Sequence, residues 1–554
     1  MSSINDSVSH TQSDESGQSP LKAGIALAET VHSTLGPNGM DKMLIDDRGR
    51  VVVTNDGARV LDRLDITEPI GRVLKHTVQR HQQWVGDGST TTLLLIGELL
   101  SAARSLQEDG LHPTTIVDGY YQATMCAREQ LLEYAHSIDP ADDDVLQAVA
   151  TTAVTGRWDD QSTDRFGSLA LSALRAVDFE PTRLAISAYP GGELRDSRVI
   201  DGLLVDLDSS STTIDLLDAR EFRTVSAPRI ALIGSELAVD APTGVETLSI
   251  SDADQAAAFR SHDQQVRDGI VDRLQEVGAT VVCCQKSIDQ GIRATLAAAG
   301  ILTVERTRQD EFDTIAQSTG ATAVQSVEEL TPEALGRAES VQQRTFGTTD
   351  TLLLRGCSGQ SQATLLLRGG TPHVSDEMER ILQTATAVVT QAAHDGSVVP
   401  GGAASAMAIS QELSQFAETV SGREQLAVRA FGEAVAQIPR VLATNAGANP
   451  IDTLAALRTK HDAGATTVGI DPSGSTREMV GAGVVEPRTV FDRCLVTALE
   501  AAATLLRIDS VRVSEESPPA ATHDSHTGHS HDSHPGHDHG NGSHAGGYPW
   551  ALSH

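Results

Sequence analysis

The hydrophobic pattern changes in the middle of this chain and then changes back, and that interruption constrains the fold more than any other feature. Between about Val205 and Leu354, short apolar runs alternate with helical spacing: "RIALIG", a helix around Phe259 to Val277, "ATVVCCQ", a helix, "GILTVER" and a further helix. In the first of these helices Phe259, Val266, Ile270, Leu274 and Val277 recur at i, i+7, i+11, i+15 and i+18, which gathers them into one apolar stripe. Strand–helix alternation of this kind predicts an α/β layer. On either side the spacing is mostly helical, from about Pro69 to Ser137 and Asp143 to Ala188 before it, and from about Asp376 to Arg507 after it. Near the start, strands at Lys42 to Ile45 and Val51 to Thr54 read as a hairpin that follows a helix and a Gly/Pro loop. The 554 residues are enough for two to four domains, so the class is multi-domain α+β.

One short stretch carries chemistry. In "VGDGSTTTLLL", Val85 to Leu95, a carboxylate sits between two glycines and four hydroxyl side chains precede an apolar run. The glycines allow a tight turn with uncovered N–H groups, and Ser89 to Thr92 are placed to open a helix whose free N–H groups face an anion. Asp87 is itself an anion at that mouth, which makes sense when a cation arrives with the ligand, as magnesium does with a nucleotide phosphate. An ordinary helix N-cap explains the same residues equally well. A Walker A loop is excluded, because no Lys follows Gly88 or Gly97.

Charge limits the partners. With 75 Asp+Glu against 42 Lys+Arg the formal charge is -33, and aromatic residues are 3% of the chain. No basic stripe exists to neutralise a nucleic-acid backbone and few rings exist to stack on bases, so nucleic acid is not an expected partner. The only lysines are Lys22, Lys42, Lys75, Lys286 and Lys460. An acidic, Lys-poor surface suits a high-salt cytoplasm, where a Debye length of about 3 Å removes the repulsion between carboxylates. Five cysteines, Cys126, Cys283, Cys284, Cys357 and Cys494, show no metal-ligand spacing and read as reduced thiols. No apolar run reaches the ~18 residues of a membrane span, and the polar start is unlike a signal peptide, so a cytoplasmic protein without a membrane partner is expected. The tail from Ser514 is Pro, Gly, Ser and His, with nine histidines from His523 to His554. Metal affinity is one reading of that density and a flexible polar extension is the other.

Read together, "TLGPNGMDKML", "TNDG", "VGDGSTTT", "LLLRGGT", "VVPGGA", "TNAG", "VGID", "VVEP" and "LLRID" stand in the order found in group II chaperonins. From about Leu21 to Arg512 the chain resembles that family, whose archaeal members are thermosome subunits. The resemblance implies an ATP-driven folding machine of two stacked rings, homo- or hetero-oligomeric with paralogous subunits, acting on unfolded client proteins. It implies a mainly helical equatorial domain from 21–142 and 397–513, a small α/β intermediate domain from 143–203 and 358–396, and an α/β apical domain over 204–357. The apical domain would carry a helical protrusion at "ISDADQAAAFRSHDQQVRDGIVDRL" that serves as a lid. Residues 1–20 and 514–554 would be disordered ends.

The same resemblance assigns site residues. Leu35, Gly36 and Pro37 would wrap the nucleotide, Asp87 would hold magnesium, and Gly88, Ser89, Thr90 and Thr91 would take the phosphates of ATP, with potassium a further candidate cation. Gly402 would pack against base and ribose, Glu486 would face the ribose, and Asp56 would stand near the hydrolytic centre. Arg157 occupies the place of a phosphate-sensing lysine. Departures are concentrated elsewhere: Ala403 stands for a third glycine, "HQQW" at His81 to Trp84 for an acidic run, and Gln383–Thr384 for the pair whose Asp activates the attacking water. A threonine is no base at neutral pH, and losing a positioned base costs roughly 10²- to 10⁴-fold in rate. Glu377 lies on nearly the same helix face as Thr384 but about 10 Å away along the axis. Three readings stand at this point: a weakly hydrolysing chaperonin subunit in a mixed ring, a fully active ATPase, and a metabolic enzyme with an α/β insert.

Overall fold

In the computed structural model the described residues are 18–45, 49, 51–207, 224–239 and 253–508, without the side chains of 18–20 and 253–260. The expected disordered ends, residues 1–20 and 514–554, therefore lie almost wholly outside the described residues, as do Asp509 and the first residues of the lid stretch.

The largest core is helical and joins early and late segments of the described chain, from Leu21 to Leu506. Its centre is the helix Ser89–Glu108, which buries Leu93, Leu94, Leu95, Ile96, Leu99, Leu100 and Ala103. A helix apolar around most of its circumference has to be surrounded. The neighbours are Gln18–Val31, Glu424–Val435 and Arg488–Leu506. Gly97 lets Gln18–Val31 approach closely, since a Cβ there would stand 2.2 Å from that of Ala28. Tyr120, on Pro113–Glu133, meets Phe431 edge to face with ring centroids 5.6 Å apart and donates its hydroxyl to Leu99 O at 2.8 Å. Arg128 of that helix is ion-paired with Asp492.

A second core holds helices Asp143–Val154, Asp160–Ala176 and Pro372–Asp395 against a three-stranded sheet. In that sheet Ala363–Gly369 is central, parallel to Leu184–Pro190 and antiparallel to Arg198–Asp201. The strand at Leu184–Pro190 corrects the helical reading of Asp143 to Ala188. The helix stops at Ala176, positive φ at Asp178 and Phe179 turns the chain, and the following residues pair with a strand some 180 positions later. Non-local pairing of that kind overrides local propensity.

The α/β insert is present as read. Arg229–Ile233, Val281–Cys284 and Leu302–Val304 form a parallel sheet, with helices Ala253–Val277 and Gln290–Ala298 in the crossovers. In the long helix Val271, Leu274 and Val277 are buried while Val266 and Ile270 are half-buried, so the stripe lies slightly round the helix from its expected line. Phe259 lies outside the described side chains. A second sheet, antiparallel in the order Leu203–Leu207, Thr349–Arg355, Ser340–Phe346, Thr224–Ser226, extends the insert beyond the alternating units. The hairpin near the N-terminus pairs Met43 with Val53 and Ile45 with Val51. All four side chains are exposed on one face of a two-stranded ribbon. Among the described residues no helix is long and apolar enough to cross a membrane.

Candidate functional site

A cavity of about 270 Å³ opens between segments from Thr34 to Arg157 and segments from Val388 to Cys494. One wall comes from the segments around Leu35, Asp56 and Asp87; the facing wall comes from those around Gly402, Ile470 and Glu486, with Arg157 and Val388 completing the rim. Eleven residues singled out in the sequence line it together: Leu35, Gly36, Pro37, Asp56, Asp87, Gly88, Ser89, Thr90, Thr91, Gly402 and Glu486.

The turn at Asp87 depends on its glycines. Gly86 and Gly88 both have φ of +79°, a conformation that costs a side chain strain. Space is equally restrictive, because a Cβ on Gly86 would come within 2.1 Å of that of Ala387 and one on Gly88 within 2.6 Å of Cys494 Sγ. Gly88 is the N-cap of Ser89–Glu108 and supplies no side chain to its first turn, so the opening N–H groups of a 20-residue helix are left for another acceptor. Asp87 accepts from its neighbour Gly88 N at 2.7 Å. Burial raises its pKa; the Gly88 N–H and the guanidinium groups of Arg157 and Arg380 oppose that rise, and Asp56 adds to it.

Behind the turn stands His81, 4% exposed. Its Nε2 lies 3.0 Å from Asp87 O and 3.3 Å from Thr92 Oγ1, and its Nδ1 lies 3.3 Å from Thr497 Oγ1. Burial drops its pKa to about 4, so the ring is neutral near pH 7. Across the cavity Glu486 is pushed up to about 7, first by burial and then by the charge of Asp87.

The remaining segments are held by backbone contacts. Gly36 has φ of +83° and room for no Cβ, which would meet Leu442 at 2.3 Å. Asn445 donates to Leu35 O at 2.9 Å and to His32 O at 3.0 Å, which gives the "TNAG" stretch the task of fixing this loop. Gly402 has φ of +60° and a Cβ there would stand 2.8 Å from Ile470 O. Ala403 also has φ of +60°, so the residue in place of a third glycine keeps the glycine-like backbone at a cost of about 1 kcal/mol.

Asp56 is the N-cap of Gly57–Arg63, accepting from Arg59 N at 2.9 Å. Its other oxygen lies 3.7 Å from Arg380 Nη1. Arg157 donates to Asn55 Oδ1. Thr384 does not line the cavity. It is 7% exposed on Pro372–Asp395, one turn after Arg380 and one turn before the cavity residue Val388. Glu377 accepts from Arg380 and Glu379 from Gln383, and neither lines the cavity. No group of three or more metal-ligating side chains occurs among the described residues.

With this geometry in view the comparisons are decisive. The profile of the TCP-1/cpn60 chaperonin family matches residues 27–516. The chain belongs to that family. It is 38% identical over 505 residues to a thermosome subunit of Methanopyrus kandleri, covering 90% of this chain and 91% of that one. Thermosome subunit alpha of Halobacterium salinarum is 37% identical over 507 residues, at 90% and 89% coverage, and thermosome subunit 1 of Haloferax volcanii is 37% identical over 496 residues, at 89% and 87%. The protein is a group II chaperonin, and as such it assists protein folding; the metabolic-enzyme reading is set aside. Three residues at or behind the cavity carry no site signal of their own in the sequence: Cys494 lines it, His81 backs the Asp87 turn and Arg380 pairs with Asp56.

Proposed function

We propose that this chaperonin subunit binds magnesium ATP in the cavity between the early and late segments of its chain and hydrolyses it slowly or not at all, within a double ring shared with paralogous subunits. On this reading 21–142 and 397–513 act as the equatorial domain, 143–203 and 358–396 as the intermediate domain and 204–357 as the apical domain. The observation that carries it is the Asp87 turn: a carboxylate whose burial favours a cation, set at the uncapped N-terminus of a long helix, in one cavity with Gly402 and Glu486. These residues fit the group. Asp87 would hold the magnesium, the first-turn N–H and hydroxyl groups of Ser89, Thr90 and Thr91 would receive phosphate oxygens, and Glu486 would face the ribose. The bound cation would offset the charge that the phosphates bring beside Asp87.

Slow hydrolysis is supported by what stands along Pro372–Asp395, where no carboxylate occurs from Arg380 through Thr384 to the cavity residue Val388. A fully active ATPase would need Asp56 as its base. One oxygen of Asp56 caps a helix and the other faces a guanidinium, so both are already engaged. Assembly into a ring is supported by the hairpin, whose open strand edges and exposed Met43, Ile45, Val51 and Val53 call for a second chain. Clients would be unfolded proteins held by the apical layer, and the acidic surface would work in molar salt.

Calorimetric titration of the full chain with ATP, with and without magnesium, tests the central claim. Magnesium-dependent binding in the natural chain and its loss in Asp87→Asn are expected; binding that ignores both magnesium and the substitution would overturn it.

A further inference from the structure

We infer that His81 is a positioning residue for the nucleotide: it fixes the peptide unit between Asp87 and Gly88 with its N–H, and not its C=O, turned to the phosphates. The inference rests on the nucleotide reading above and adds to it the group that decides which way the Asp87 turn faces.

A turn closed by a glycine has a weakness. Gly88 holds a φ of +79°, but a glycine takes positive and negative φ about equally well. The planar unit that joins it to Asp87 can therefore swing about its ends at small cost and exchange its C=O for its N–H. For a ligand the two orientations are opposites, since an N–H attracts a phosphate oxygen and a carbonyl repels it. A group outside the turn has to choose between them.

His81 holds the carbonyl end. It is 4% exposed on Pro69–Val85, does not itself line the cavity, and sets Nε2 3.0 Å from Asp87 O. A carbonyl only accepts, so Nε2 carries the hydrogen of the neutral ring, and Nδ1, 3.3 Å from Thr497 Oγ1, is left to accept from that hydroxyl. Thr497 belongs to Arg488–Leu506, so a second helix sets the tautomer. One turn earlier on the same helix, Cys494 donates its thiol to Gly88 O at 3.4 Å, which engages the next carbonyl as well. In a trans unit the N–H points opposite to the C=O. With Asp87 O turned to His81, the Gly88 N–H points away from the ring, where it meets Asp87 Oδ1 at 2.7 Å. One bond behind the turn thus sets two groups in front of it, the N–H of Gly88 and the carboxylate that this N–H holds. Packing alone would be served by another apolar residue in the buried line of Leu74, Val78 and Val85; what the ring adds is its N–H.

The test compares binding of magnesium ATP and of adenosine to the full chain, by calorimetry, for the natural protein, His81→Gln, His81→Asn and Thr497→Val. Adenosine has base and ribose but no phosphate, so it does not read the orientation of the peptide unit. The amide nitrogen of Gln stands as many bonds from Cβ as Nε2 does and keeps the donor to Asp87 O, whereas that of Asn takes the place of Nδ1 and falls short. His81→Asn is expected to lose the roughly 10- to 100-fold in ATP affinity that one hydrogen bond to a charged group supplies, while adenosine affinity stays within about threefold. His81→Gln is expected to recover most of it. Thr497→Val, which leaves the ring in place and frees its tautomer, is expected to lower ATP affinity alone by a smaller factor, and it decides the matter if His81→Asn does not fold. Equal losses for ATP and adenosine, a His81→Gln no better than His81→Asn, or no loss at all would overturn the inference and leave nucleotide binding intact. A natural chain that binds neither ligand would remove both.

Discussion

The two facing walls of the cavity and the helix at its rim are built on different terms. The walls around Gly36 and Asp87 and around Gly402 are made of backbone, held by glycines whose φ is positive and whose Cβ positions are already occupied by neighbours. The helix Pro372–Asp395, which reaches the rim through Val388, is an ordinary one, and what it offers the site depends on single side chains. A backbone cradle changes only if the turn breaks, whereas a helix face loses a function by one substitution and keeps its packing. Under the proposed function, that contrast lets a binding site stay whole beside the threonine at position 384.

The largest effect should come from restoring a carboxylate on the rim helix. Thr384→Asp is expected to raise ATP turnover by about 10²- to 10⁴-fold in a steady-state assay, and equal rates before and after would break the comparison. Attacking the backbone wall comes next. Gly86→Ala forces positive φ on a side chain and drives its Cβ against Ala387, so a loss of about 2–4 kcal/mol in denaturant unfolding is expected.

Between the walls and the core stands His81, and pH reads it out. Its pKa is about 4 in the fold and near 6.5 in the unfolded chain, so below pH 6.5 the unfolded state takes up a proton that the fold refuses. Stability should therefore fall as pH drops from 6.5 towards 4, by up to about 3 kcal/mol, and the natural chain minus His81→Gln should show that slope. A flat difference would mean that the ring is not sealed behind the turn. The smallest effect is expected at Ala403→Gly, which relieves a left-handed alanine and should raise the unfolding midpoint by the equivalent of about 1 kcal/mol or less.

Much of this was legible in the sequence for a physical reason: the glycine-centred turns at Gly36, Gly88 and Gly402 are local, and a residue needed for its backbone leaves a trace in its own neighbourhood. The insert's parallel strands and the hairpin were readable by period and by turn residues. His81 had a faint signal, since it falls in the buried line Leu74, Val78, His81, Val85 on its helix, where a polar residue needs partners. Arg380 had none, because a charged residue in an amphipathic helix reads as solvated until Asp56, more than 300 positions earlier, is seen beside it. The strand at Leu184–Pro190 left no local trace for a like cause, as its partner Ala363–Gly369 is distant in sequence.

The joining of early and late segments in one core also sets a clock on biosynthesis. The Asp87 turn is translated well before its backing by Cys494 and the helix Arg488–Leu506. A nascent or prematurely terminated chain holds the leucine-rich Ser89–Glu108 helix without its closing partner, open to aggregation and to proteases. The complete cavity thus forms only once Arg488–Leu506 has been made, roughly 400 positions after the Asp87 turn.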